Sequence, residues 1–544
     1  MMRYRHSYRW SCVAVLAASG ALAAPRVYYT DLDSGPNSGG EKNAGAYVTI
    51  YGSGFGSVQG SSSVTVGAGR AAAYPIWTDS KIAIQLGPDA STGDIIVTTK
   101  DGASNPVPFT VRPGKIYFVA SNGKDGHDGS FASPWRTVLK ARDSLKPGDI
   151  AYLRNGVNQA ADDGQGWKTC LLIGANSGTQ DRPKSLVAYP GESATLGNVN
   201  GTAAGGCDAG IRTRNQGENY WTIAGLKIRG GTEAFNLFGV TGWRLVGNDM
   251  SCPNGNGQSA CLDTARASNL HIYGNNIHDV ATNLDPSKVT ALYHGVYLST
   301  DTNHVWFGWN TIANVQGGRG MQVHSSPIQG GGAADPTGHD QYDLHIHDNV
   351  IHDTQCDGII LSTVDPSKGP VEIYNNVIYN AGKGPNNLEG SGSWSCINAQ
   401  AYTNSGPPGS GPIEIYNNTL YACGSFANPP YSDSSAGLMW IAAKNPNKYV
   451  HLRRNIIETS GSVPYLRIHD VPANECPDSD KCAGVRGSDN LFYGNGAAPR
   501  NPNLKASLSC DPHFVNAAAA DFRIPQNGPA RNTGAFACAS EKQH

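Results

Sequence analysis

Charge is scarce in this chain of 544 residues: Asp, Glu, Lys and Arg make up 15%, and they nearly cancel to a formal −2. Without a basic excess, nucleic-acid binding is disfavoured. Zinc-finger spacing is missing too, because no cysteine pair has His or Cys partners at the required intervals. An EF-hand is excluded in the same way. Asp125 and Asp128 lie among glycines, but no bidentate Glu closes the loop, so the stretch reads as a solvated turn. Helix is expected to be the minority state, since Gly 67, Pro 32 and many Asn residues give a turn-rich, strand-rich composition.

No membrane span is expected either. The uncharged run from Ser11 to Ala24 is too short for one. It follows Arg3, Arg5 and Arg9 and ends in Ala-Leu-Ala-Ala-Pro, the form of a secretory signal peptide over residues 1–24. Its removal takes the formal charge from −2 to −5, because it carries three arginines and no acid. The mature chain is expected to be exported, extracellular or periplasmic, and a monomer. Of twelve cysteines, only Cys12 lies in that segment, so several disulfides and an odd thiol are expected in an oxidising compartment. Cys252 with Cys261, and Cys476 with Cys482, are the near pairs. Pairing among Cys356, Cys396 and Cys423 stays open.

What the chain does have is self-similarity. His271-Ile-Tyr-Gly-Asn-Asn, Trp306-Phe-Gly-Trp-Asn, His345-Ile-His-Asp-Asn, Glu372-Ile-Tyr-Asn-Asn and Glu414-Ile-Tyr-Asn-Asn share a polar/apolar alternation leading into Asn. Aligned, they superpose Asn248, Asn276, Asn310, Asn349, Asn376, Asn418 and Asn455, an Asn ladder suited to tight turns. A second strand follows in most repeats: His294-Gly-Val-Tyr-Leu-Ser, Arg319-Gly-Met-Gln-Val-His, Asp357-Gly-Ile-Ile-Leu-Ser, Ser395-Cys-Ile-Asn-Ala-Gln. Repeats of this kind with variable loops between them indicate a parallel β-solenoid. From about Lys115 to the C-terminus the sequence resembles the right-handed parallel β-helix proteins of the pectate-lyase-like superfamily.

Residues 25–112 read differently, as short strands with turn punctuation. Ile50-Tyr-Gly-Ser-Gly-Phe-Gly resembles the IPT/TIG group of immunoglobulin-like domains, which implies a small β-sandwich of the spacer or carbohydrate-proximal kind. Arg112-Pro-Gly is the expected linker. Residues 113–544 then form the β-helix, opened by a cap with a short helix over Thr137 to Leu145 and closed by the segment from Cys510 to Phe522. The expected fold class is all-β, a right-handed parallel β-helix (solenoid) preceded by a small immunoglobulin-like β-sandwich.

Chemistry on a β-helix must sit on outward positions aligned across coils. In the second-strand set, Val296 and Leu298, Met321 and Val323, and Ile359 and Leu361 point inward. Tyr297, Gln322 and Ile360 then point out, with Asp263 and Asn236 above them. Ser299, His324 and Ser362 form the next outward column, and His294, Arg319 and Asp357 stack at the turn. Asp263, His294, Tyr297, Arg319, Gln322, His324 and Asp357 therefore gather into one patch. β-Elimination from a uronic acid needs a cation for the carboxylate, a base for the C5 proton and an acid for the leaving oxygen. Arg319 suits the first, His324 or His294 the second and Tyr297 the third. Asp263, Gln322 and Asp357 are expected to hold substrate.

The resemblance also implies a variant that uses calcium with a Lys or Arg base, for which Lys288 is the nearest lysine. Asp263, Asp279, Asp353 and Asp357 are the calcium candidates, with hydrogen-bonded turn residues as the plainer reading. A polygalacturonase-type hydrolase needs facing carboxylates, often in Asn-Thr-Asp and Asp-Asp motifs; Asn-Thr-Asp is absent, and the one Asp-Asp doublet, Asp162-Asp163, lies outside the aligned second-strand set. A non-catalytic glycan-binding or adhesion solenoid would use Trp306, Phe307, Trp309, Trp394 and Trp440. The expected partner is an acidic polysaccharide, with insertions at 283–290, 325–341 and 383–393 walling the groove.

Overall fold

The computed structural model describes residues 24–174, 176–200, 206–214, 217–255, 257, 259–285, 292–325, 340–384, 394–400, 411–424, 436–442, 448–460, 463–470, 474–475, 484–501, 503–525 and 527–535. The expected signal segment, Lys288, Cys476 with Cys482 and most of the three insertions lie outside them.

The chain is a right-handed parallel β-helix with an N-terminal immunoglobulin-like domain. Three sheets run its length, parallel throughout except where the last strand of the third, Asn474–Glu475, pairs antiparallel with Leu466–Asp470. The first has thirteen strands, from Ile116–Val119 to Leu504–Lys505; the second has eleven, from Asn158–Gln159 to Leu491–Tyr493; the third has eleven, from Thr169–Ile173 to Asn474–Glu475. Each coil visits all three, so residues far apart in sequence lie one strand spacing apart, about 4.8 Å. Alternation puts Ile, Val, Leu and Phe inside. Val296, Leu298, Met321, Val323, Ile359 and Leu361 are all fully buried, as the alternation predicts.

The Asn ladder is real but shifted at one rung. Asn248, Asn275, Asn310, Asn349, Asn376, Asn418, Asn455 and Asn490 pass hydrogen bonds coil to coil, each taking its predecessor's backbone N–H and amide on its own Oδ1. Asn275, not Asn276, is the rung, and Asn276 instead pairs in register with Asp249. The left-handed bend falls one residue earlier, on Gly274, Trp309, Asp348, Asn375, Asn417 and Arg454. That corner column, and not the ladder, demands the positive φ, which Gly and Asn adopt at least cost.

The ends follow expectation in part. Thr137 caps the helix Val138–Ser144 by accepting the Lys140 N–H, and Val138, Ala141 and Leu145 bury into the first coil. Asp125, read as a turn residue, accepts the backbone N–H groups of Arg136 and Thr137 at 2.9 Å. At the other end, Leu508 bridges to Leu491, after which Phe514 and Phe522 fold back on Tyr379 and Tyr421 outside the second sheet.

The first nine strands, Arg26–Thr30 to Val107–Val111, join into one sheet that is antiparallel except where Ser34–Gly35 meets Val107–Val111. This unit lies against the outside of the first sheet and shares a core with Phe118, Ile150, Tyr152, Val187 and Val246. The Tyr152 hydroxyl donates to the Tyr47 carbonyl and accepts the Tyr47 N–H, both at 2.8 Å. Arg112, expected in a linker, is 6% exposed and bonds Ser34, Gly148 and Pro183 across the junction. Trp309 stacks into the same junction against Tyr29.

Candidate active site

The predicted patch forms on the third sheet, on a different face from the one the N-terminal domain covers. Asp263 stands in register with Tyr297, Tyr297 with Gln322, Gln322 with Ile360, and Ser299 with His324. The sequence alignment had this register right. Asp263, Tyr297, Arg319 and His324 remain half-buried with access to solvent.

Three residues before each outward side chain, at the corner leading into the sheet, lies a second column. Asp357, Arg319, His294 and Glu233 occupy it, with Ala260 between the last two. The corner turns these side chains toward the outward column. Arg319 donates from Nη1 to Gln322 Oε1 at 3.0 Å, and its Nε lies 3.6 Å from Asp357 Oδ2. Asp357 is fully buried and accepts the Ser395 N–H at 2.8 Å and the Ser395 hydroxyl at 2.9 Å on Oδ1. Its expected place on substrate is therefore corrected: it sits behind Arg319 and holds it. His294 is corrected likewise. At 1% exposure it takes the Arg319 backbone N–H on Nδ1 at 3.2 Å, and burial followed by the Arg319 charge pushes its pKa well down. His294 is thus a buried imidazole that serves as a hydrogen-bond acceptor and does not reach solvent.

His324 also stays neutral, because burial and then the Arg319 charge lower its pKa against the smaller opposing pull of Asp340. The Tyr297 hydroxyl is hydrogen-bonded by Ser299 and Gln322, while burial raises its pKa and keeps the phenol protonated. Its ring meets His294 edge-on at 5.7 Å.

Sequence reading missed Glu233, although extending the corner column two coils past His294 reaches it. Glu233 pairs with Arg212 through Oε2, at 2.9 Å to Nε and 2.5 Å to Nη2. Its Oε1 accepts from Asn236 at 3.2 Å and from the Ser259 hydroxyl at 2.9 Å. The same Ser259 oxygen lies 3.0 Å from Asp263 Oδ2. Burial, then the Glu233 charge, pushes the Asp263 pKa up to about 8.

The calcium candidates do not converge. Asp279 is bonded by His278 and Asn314, Asp353 by His352 and Lys383, and Asp357 by Ser395. Among the described residues no three His, Cys, Asp or Glu side chains meet as a metal set. The aromatic residues of the glycan-binding reading are largely spent: Trp394 and Trp440 are buried, Trp309 is covered, and Trp306 stacks between His271 and His345. Among the described residues three disulfides join Cys170 to Cys207, Cys252 to Cys261 and Cys396 to Cys423, while Cys356 is a buried thiol.

The architecture is that of a parallel β-helix carrying outward polar columns on its third sheet. Residues 117–248 match the family model of the Pel9A-like, right handed beta helix region, and residues 34–111 match the IPT/TIG domain. No curated protein matches the chain. Among solved structures it is similar to pectate lyase Pel9A, at 14% identity over 78% of this chain and 92% of that one, with a TM-score of 0.46. An alginate lyase from Paenibacillus sp. str. FPU-7 shares 15% identity over 69% and 96%, at 0.34. The family 28 exopolygalacturonase of Yersinia enterocolitica shares 11% over 89% and 99%, at 0.38.

Proposed function

We propose that this chain is an exported β-helix enzyme that cleaves an acidic, uronic-acid-containing polysaccharide by β-elimination on its third sheet. The observation that carries the reading is the meeting of a guanidinium, a phenol and a neutral imidazole, Arg319, Tyr297 and His324, on two adjacent coils at a solvent-facing site. Arg319 neutralises the uronate carboxylate, which acidifies C5–H. His324 takes that proton, the freed electron pair forms the C4–C5 double bond, the C4–O bond breaks, and the departing oxygen takes the phenolic proton of Tyr297. Asp357 and His294 fix Arg319, and Gln322 ties its guanidinium to the Tyr297 column. The match to the Pel9A-like region supports an enzyme acting on polysaccharide, and the disulfides support an oxidising compartment.

Hydrolysis is the second reading, because Glu233 gives Asp263 the neighbouring carboxylate that the sequence had not shown. Against it, Glu233 is 7% exposed and already bonded by Arg212, Asn236 and Ser259, which leaves it poorly placed to activate water. The test is ultraviolet absorbance of the unsaturated product during incubation with polygalacturonate, alginate and hyaluronan. His324→Ala and Tyr297→Phe are each expected to lower the rate by at least about a hundredfold. New reducing ends without the ultraviolet signal would instead establish hydrolysis.

A further inference from the structure

The outward column from Arg212 through Asn236, Asp263, Tyr297 and Gln322 is continuous, one residue per coil. Asp263 is its one acidic member, and an anionic chain lying along the column must cross it. We propose that Glu233, Ser259 and Asp263 form a charge gate beside the reacting sugar: Asp263 meets the neighbouring sugar as an uncharged hydrogen-bonding carboxyl, and its ionisation expels an anionic chain. The inference rests on the reading above.

The geometry explains why Asp263 holds its proton. Two carboxyl groups flank one serine hydroxyl, at 2.9 and 3.0 Å, and that hydroxyl has a single proton to give. Glu233 is the member held ionised, since Arg212 binds its Oε2 through two nitrogens. A second negative charge beside it, on a carboxyl only partly open to water, is disfavoured by both proximity and burial. The groups facing Asp263 from the adjoining strands are Arg212 and Glu233 on one side, and Tyr293, His294 and Tyr297 on the other. Arg212 already serves Glu233, His294 is neutral and buried, and the phenols hold their protons. Among the described residues of these strands Arg212 favours an ionised Asp263, but it is shared with Glu233 and its pull is smaller than the opposing effects of burial and the Glu233 charge. The protonated form dominates below a pKa of about 8 and is lost as pH rises through it. A neutral acid retained to donate a hydrogen bond is known chemistry for buried carboxyls.

The experiment measures binding of oligogalacturonate and oligomannuronate to the full Tyr297→Phe chain by calorimetry across pH 6 to 10, about two units either side of the gate. The expected result is binding of at least one that weakens about tenfold for each pH unit above the gate. Adding Asp263→Asn, whose amide stays neutral, is expected to remove that pH dependence, and Glu233→Gln, which removes the charge that raises the Asp263 pKa, to move the loss of binding to lower pH. Binding that ignores pH, or an alkaline loss that persists in Asp263→Asn, overturns the gate while leaving the elimination reading to the ultraviolet assay. Failure of both oligouronates to bind at any pH overturns the gate and counts against the reading as well.

Discussion

Replacing Asn349 with Ala tests the ladder that holds the coils in register. Asn349 Oδ1 accepts the Asn310 backbone N–H at 2.9 Å and the Asn310 amide at 3.1 Å, while Nδ2 donates to the Phe307 carbonyl at 3.0 Å and to Asn376 Oδ1 at 2.9 Å. Two of these partners keep other bonds after the change: the Asn310 amide still reaches the Ile272 carbonyl, and Asn376 Oδ1 still accepts the backbone N–H of residue 349. The Asn310 N–H and the Phe307 carbonyl lose the side-chain partner that satisfies them from inside the coil. Each such loss costs about 1–3 kcal/mol at a fully buried position, so the two together cost roughly 2–6 kcal/mol. Asn375→Gly is the matched control, because it changes the neighbouring left-handed corner in the direction that favours Gly and is expected to shift stability by less than about 1 kcal/mol. Urea unfolding followed by far-ultraviolet circular dichroism compares the two midpoints. Equal midpoints for the two variants would refute the claim that the ladder, and not the corner, carries the energy.

Two other outcomes are expected. Arg319→Met strips the cation from buried Asp357 and is expected to cost about 2–4 kcal/mol by thermal unfolding, most of it recovered when Asp357→Asn is added; in the same variant the His324 imidazole, followed by NMR, titrates at higher pH because the charge that lowers it is gone. Tyr152→Phe leaves the Tyr47 N–H and carbonyl without their shared hydroxyl, about 2 kcal/mol of junction stability; faster proteolysis around residues 112–114 with unchanged activity is expected, since the site lies on another sheet.

Much of this arrangement was legible before any coordinates, because a solenoid turns sequence period into spatial neighbourhood. Once Val296, Met321 and Ile359 were aligned, the placement of Tyr297 beside Gln322 and Asp263 followed from alternation alone, and the structure has that register. The slip from Asn275 to Asn276 has a local cause. In the Asn375-Asn376 and Asn417-Asn418 doublets the first Asn makes the left-handed bend and the second bonds inward; at 274–276 Gly274 makes the bend, so the first Asn of that doublet is the rung.

Alternation does not tell how deep a corner residue sits, and that is where the site reading fell short. His294, Arg319 and Asp357 align in sequence as equals, yet two are buried and one reaches solvent. The difference lies in what each must neutralise. Asp357 has Ser395 to fill one oxygen and Arg319 to oppose its charge, so it tolerates full burial; His294 loses its charge and becomes an acceptor for the next corner's N–H; Arg319, too long and too strongly charged to be buried, is driven outward between them. The same reasoning finds Glu233. A carboxylate at that corner needs a cation one coil away, and Arg212 in register with Asn236 is the side chain that supplies it. Charge compensation between neighbouring coils, added to the alternation rule, is thus what separates the groups that reach solvent from those that stand behind them.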